Sequence, residues 1–191
     1  MANTQCVKAG DIKAMLNYLV EKFGPDAPQK IMEQLSPEDR TLLSKPILAS
    51  SWLPEKTYHD LLFHADRIFG KGDYSLCYDV GTHSARFNVP KLYSVFIRMG
   101  NPSILLSSTA TFWGLMHNSG KLIVAEKTSN SAVAHLKDFY HPPHLGNPAF
   151  CYAMRGFITE IFKMTGADGY MDEVQCAALG APCCIFKGEW T

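Results

Sequence analysis

The residues with the most chemical potential in this chain are its six cysteines: Cys6, Cys77, Cys151, Cys176, Cys183 and Cys184. Four of them fall from Cys151 onward. The N-terminus, Met1 to Gly10, has no apolar signal core, which points to a cytoplasmic protein, where thiols stay reduced and a disulfide framework is not expected. Two readings of these thiols remain. They are small buried apolar groups, as free cysteines often are, or they form a metal site or reactive thiol.

Chain geometry bears on that choice. Cys151 sits about one turn into an expected helix over 147–165, and the rest of that helix rises about 21 Å. The chain turns at Gly166–Gly169 and returns as a strand that covers about 23 Å by Cys176. Out and back nearly cancel, so Cys176 ends level with Cys151. The next turn, holding Gly180 and Pro182, brings Cys184 beside Cys176. Cys184 is preferred to Cys183 because its alternation places it with Phe186 and Trp190. A closed tetrahedral site needs a fourth ligand. Glu173 is the candidate, and Cys183 or Asp172 could substitute. In a regular strand 173 and 176 face opposite sides, so the strand must carry a bulge or bend there.

The elements that hold these residues follow from hydrophobic spacing. Ile12, Met15, Leu16, Leu19 and Val20 predict a helix over 10–24 that stops at Gly24-Pro25. Short helices follow within 25–35 and 37–44, the second with Ser36 and Asp39 placed like a capping box. Tyr58, Leu61, Leu62 and Ala65 predict a helix over 54–69, and further helices are expected over 74–87, over 90–99, and from Asn101-Pro102 to about His117. Strands are expected at 120–127 and 132–139, then at 170–176 and 184–190. Helices first and hairpins later read as α+β: an antiparallel four-stranded sheet covered by helices, with an N-terminal helical segment over 1–50 and a ligand-binding domain over 51–191.

Composition excludes several classes. Apolar residues are 47% and charged residues 19%, which is not the balance of a disordered chain. Lys plus Arg equals Asp plus Glu at 18 each, so no basic excess marks a nucleic-acid binder. No apolar run approaches the roughly 18 residues of a membrane span. There is no GxSxG elbow, HExxH or phosphate-binding glycine loop, and no base stands beside Cys183, so no catalytic residue is nominated.

The stretch Asn147-Pro-Ala-Phe-Cys151, Glu173-Val-Gln-Cys176 and Gly180-Ala-Pro-Cys-Cys184 resembles the 4-vinyl reductase domain family, related to the transport-protein-particle (TRAPP) fold and including sensory domains of phenol-responsive bacterial activators. Phe112 to Leu122 also looks like a related group of small bacterial proteins of unknown role. The resemblance covers about 52–190. It implies a zinc held by Cys151, Glu173, Cys176 and Cys184, with the gap from Cys151 to Glu173 one residue shorter than in those sensors. Three thiolates and a carboxylate leave no open position, so such a zinc would be structural.

The resemblance further implies a TRAPP-like fold, a homodimer or signalling partner, and an apolar cavity for a small hydrophobic or aromatic ligand. Tyr93, Phe96, Phe112, Trp113, Met116 and His117 are candidates to line it, against the plain reading that they are core. His117 is either a ligand hook or a cationic cap on its helix end. His141 and His144, held around two prolines, could bind a metal or haem or stand in a solvated loop. The leading expectation is a small-molecule sensor or carrier with a structural zinc. The alternatives are a haem- or tetrapyrrole-binding protein or tetrapyrrole-modifying enzyme, and a TRAPP-like scaffold without ligand.

Overall fold

The computed structural model describes residues 4–98, 102–140 and 146–191; the side chains of 90–98, 104 and 105 lie outside the description. The chain opens with a short strand β1 (Cys6–Lys8) and helices α1 (Ala9–Phe23), α2 (Ala27–Met32) and α3 (Pro37–Leu43). Strand β2 (Trp52–Pro54) leads into α4 (Glu55–Phe69), α5 (Ser75–Arg98), α6 (Pro102–Ser107) and α7 (Thr109–Met116). Then come β3 (Lys121–Lys127), β4 (Ser131–Lys137), α8 (Ala149–Met164), β5 (Gly169–Gln175), a 3-10 turn at Ala177–Leu179, and β6 (Cys184–Trp190). The α+β class and the antiparallel four-stranded sheet are as expected; the strand order is β3-β4-β6-β5.

The burial pattern explains why these residues form these elements. On β6, Cys184, Phe186, Gly188 and Trp190 turn inward while Ile185, Lys187 and Glu189 turn outward, the period-two alternation of a half-buried strand. On α8, Phe150, Cys151, Ala153, Met154 and Phe162 are buried, one helical stripe laid on that sheet. Ser36 caps α3 as its sequence suggests, its Oγ accepting from Asp39 N–H at 3.1 Å.

Three elements differ from expectation. A second, two-stranded sheet pairs β1 with β2, Val7 opposite Leu53. These strands are three residues each, too short to show a period. Pro90 does not open a new helix: α5 runs through it to Arg98, because a proline costs a helix interior one hydrogen bond without forbidding continuation. The helix expected from Asn101 to His117 is broken at Ser108 into α6 and α7.

The packing of α5 on α8 sets the interior. The two backbones cross so closely that a Cβ on Gly81 would lie 1.8 Å from the Ala153 carbonyl oxygen, and one on Gly156 would lie 2.0 Å from that of Tyr78. Only glycine permits that approach at both points. Among the described residues, no helix is long and apolar enough to cross a membrane.

Candidate functional site

Two constellations stand out, and α8 contributes to both. The first is at its N-terminal turn. Cys151 on α8, Glu173 on β5, Cys176 just after β5 and Cys184 at the start of β6 each bring one ligand atom to within 4.8 Å of all the others. Cys151 Sγ lies 3.6 Å from Cys184 Sγ and 3.7 Å from Cys176 Sγ. Four ligands around a zinc with bonds of about 2.3 Å would hold their sulphurs about 3.8 Å apart, so the spacing is that of a tetrahedral edge. The bulge that alternation demands is present: Glu173 pairs with Phe186, but Gln175 pairs with Ile185, so the register slips between them. That slip turns Glu173 and Cys176 to the same side.

The electrostatics of the cluster are those of a site with excess negative charge. Burial, then the Cys176 charge, pushes the Glu173 carboxyl up to about 7. Its contacts with Cys151 and Cys184 hold the Cys176 thiol well below the usual thiol range, and the contact with Cys176 pushes the Cys151 thiol up in turn. Glu173 Oε1 is buried with no hydrogen-bond partner. Of the two substitutes considered, Asp172 pairs instead with Arg155 at 2.7 Å, and Cys183 does not belong to the cluster.

The second constellation is an apolar cavity of about 170 Å³ between α5, α7, α8 and the sheet. Leu106, Phe112, Leu122, Met154 and Phe157 form much of its wall. Of the six aromatic-region candidates, Phe112, Trp113, Met116 and His117 line it. Tyr93 and Phe96 lie outside the described side chains, as His141 and His144 lie outside the described residues.

His117 is neither exposed nor a helix cap by charge alone. Its ring stacks on Trp113 at 3.9 Å, and its Nδ1 donates to the buried Glu55 carboxylate at 2.6 Å. The chain positions it from both sides: its N–H donates to the Trp113 carbonyl at 2.8 Å, and it bridges to Val7 of β1. Its Nε2 takes no hydrogen bond among the described residues. Of the described histidines, His117 alone lines the cavity.

Sequence reasoning missed the rest of this polar end. Asp11, in the first turn of α1, lines the cavity beside Ser84 and Asn88 of α5. Its Oδ1 accepts from Ser84 Oγ at 2.5 Å and from Asn88 Nδ2 at 2.9 Å. A carboxylate in a first helical turn reads as a partner of the helix dipole, so neither Asp11 nor the buried Glu55 of α4 gave a signal beyond that.

No family model and no curated relative matches this chain. Solved structures do. An H-NOX protein from S. oneidensis in the Fe(II)NO ligation state superposes with a TM-score of 0.74 at 11% identity, covering 96% of this chain and 99% of that one. The Fe(II) unliganded H-NOX protein from K. algicida gives 0.70 at 14% identity over 96% of each chain. An oxygen-binding H-NOX domain related to soluble guanylate cyclases gives 0.66 at 11%, covering 96% of this chain and 95% of that one. The likeness runs through the N-terminal helices that the 4-vinyl reductase resemblance left uncovered. It overturns that resemblance and the TRAPP-like label. A helix followed by a tight hairpin can bring the same cysteine and glutamate spacing together on different scaffolds, so spacing over the last forty-odd residues did not identify the whole. At these identities the likeness is one of fold, and the fold of this chain is that of the H-NOX domains.

Proposed function

We propose that this chain is a ligand-binding sensor domain, in which one helix, α8, carries both the wall of the binding cavity and a ligand of a zinc centre. The observation that carries this reading is on α8 itself: Phe150, Ala153 and Met154 line the cavity, and Cys151 between them belongs to the cysteine–glutamate cluster. A ligand that shifts α8 is thereby felt at the cluster, and readout passes to a second copy or a signalling partner.

The cluster fits zinc by the chemistry of its donors. It has three soft thiols at tetrahedral spacing and one carboxylate oxygen that is buried without a partner. Zinc bound there would cross-link α8 to the β5–β6 hairpin and leave no open position for a substrate. Metal analysis of protein purified without a histidine tag tests this, with one zinc per chain expected. A Cys176→Ala variant with unchanged metal content and melting temperature would overturn it.

A haem is the other candidate, because the H-NOX structures carry iron and one similar structure concerns haem redox potential. His117 is the residue that would hold the iron: its Nδ1 is anchored by the Glu55 carboxylate, as proteins anchor an iron-ligating histidine, and its Nε2 takes no hydrogen bond among the described residues. The macrocycle does not fit. A cavity of about 150 Å³ is the size that holds benzene, and this one is 170 Å³. No Lys or Arg stands among its described lining residues to meet two carboxylates, and Asp11 would repel them. We therefore assign the cavity to a smaller apolar ligand. Titration with hemin is the direct test: no Soret band is expected, and a band abolished by His117→Ala would install the haem reading in its place.

A further inference from the structure

We infer that the cavity selects a small apolar amine, with Asp11 as the group that receives its ammonium. This rests on the ligand-binding reading above and names the ligand class. The cavity contains one carboxylate and no Lys or Arg among its described lining residues. Asp11 Oδ1 is saturated by Ser84 and Asn88, and its Oδ2 accepts no hydrogen bond among the described residues. Asn88 Nδ2 also donates to Ser84 Oγ at 3.1 Å, so the three side chains lock one another and hold Oδ2 in place.

No cationic side chain among the described residues pairs directly with Asp11. His117, the nearest base, already donates to Glu55, and Tyr58 is neutral. Burial pushes the Asp11 carboxyl up, while Ser84, His117 and Asn88 pull it down. A charge-assisted hydrogen bond in a water-poor site is worth roughly twice a neutral one, so an ammonium gains more here than a hydroxyl of the same shape. Much of the remaining wall is apolar, Leu106, Phe112, Leu122, Met154 and Phe157 among it. Together these describe one ring, or a short branched chain, bearing a primary amine.

Calorimetric titration of the full chain with benzylamine, benzyl alcohol and toluene at neutral pH tests this. Benzylamine is expected to bind at least about ten-fold more tightly than either other probe. Asp11→Asn, which keeps the shape and the Ser84 contact, is expected to erase that preference, bringing benzylamine to the affinity of benzyl alcohol. Ser84→Ala, which frees Oδ1 to turn, is expected to weaken benzylamine several-fold. Equal affinity for all three probes, or an amine preference that survives Asp11→Asn, overturns the amine assignment and leaves the cavity as a ligand site. No binding of any probe overturns both, and the thermal melt of each variant shows whether it is folded.

Discussion

The two sites that α8 serves are built in opposite ways. At its N-terminal turn, four residues within a single helix–hairpin unit converge on a point. Along its flank, the polar groups of the cavity come from Asp11 on α1, Ser84 and Asn88 on α5, and His117 at the end of α7. The first arrangement is local and uses side-chain types with one strong chemistry. The second is distributed and uses common residues whose role depends on what surrounds them. A cluster of the first kind can be reasoned out from chain geometry, and one of the second kind has to be seen.

The largest effect that separates the two sites is expected from the cluster. With zinc bound as proposed, Cys176→Ala should remove the metal and lower the melting temperature by about 10 °C or more, since metal binding couples directly to folding. Toluene binding, measured at a temperature where the variant is folded, should weaken but persist. Unchanged metal content would break the comparison, because the cluster would then be only a group of buried thiols.

Next comes the crossing that both sites share. Gly156→Ala places a methyl 2.0 Å from the Tyr78 carbonyl oxygen, so α5 and α8 must part. A loss of about 2–3 kcal/mol in chemical denaturation is expected. The cavity and the cluster should suffer together, seen as weaker probe binding and faster loss of metal to a chelator. Loss of one without the other would show that α8 does not link them.

Glu55→Ala should cost about 1–3 kcal/mol, because it leaves a buried imidazole nitrogen without its acceptor. Thermal melts of this variant and of His117→Ala and the double variant give the coupling between them. Coupling near zero would mean the pair does not hold the cavity end.

The smallest effect tests the Asp11 environment. Its carboxyl is raised in the folded chain, so ionising it costs the fold. Stability from this residue is therefore full below the unfolded-state value and falls as pH rises from there to the folded value. Asp11→Asn should then melt at the same temperature as the parent in acid and slightly above it at neutral pH. A parent that gains on the variant as pH rises would reverse the sign and remove the argument from burial.

The sequence carried much of this. The helical stripe of α8, the alternation of β6 and the need for a bulge at Glu173 all rest on spacing, and spacing is what a chain displays. The β1–β2 ribbon was invisible because three residues cannot show a period. The α6–α7 break at Ser108 lacks a proline or glycine to announce it. The scaffold was misread for a related reason: a local arrangement of cysteines reports the hairpin that holds it, not the strand order beyond. Asp11 and Glu55 were hidden because a carboxylate at a helix start is ordinary on the surface, and only packing from α5 and α7 makes it interior.

The glycine crossing has one more consequence. With Gly81 pressed on the Ala153 carbonyl and Gly156 facing that of Tyr78, the two helices touch backbone to backbone, where there are no side chains to compress. That contact is a fulcrum. A ligand bound as proposed on one side of it would tilt α8 as a lever instead of denting it, and Cys151 stands two residues from the Ala153 contact.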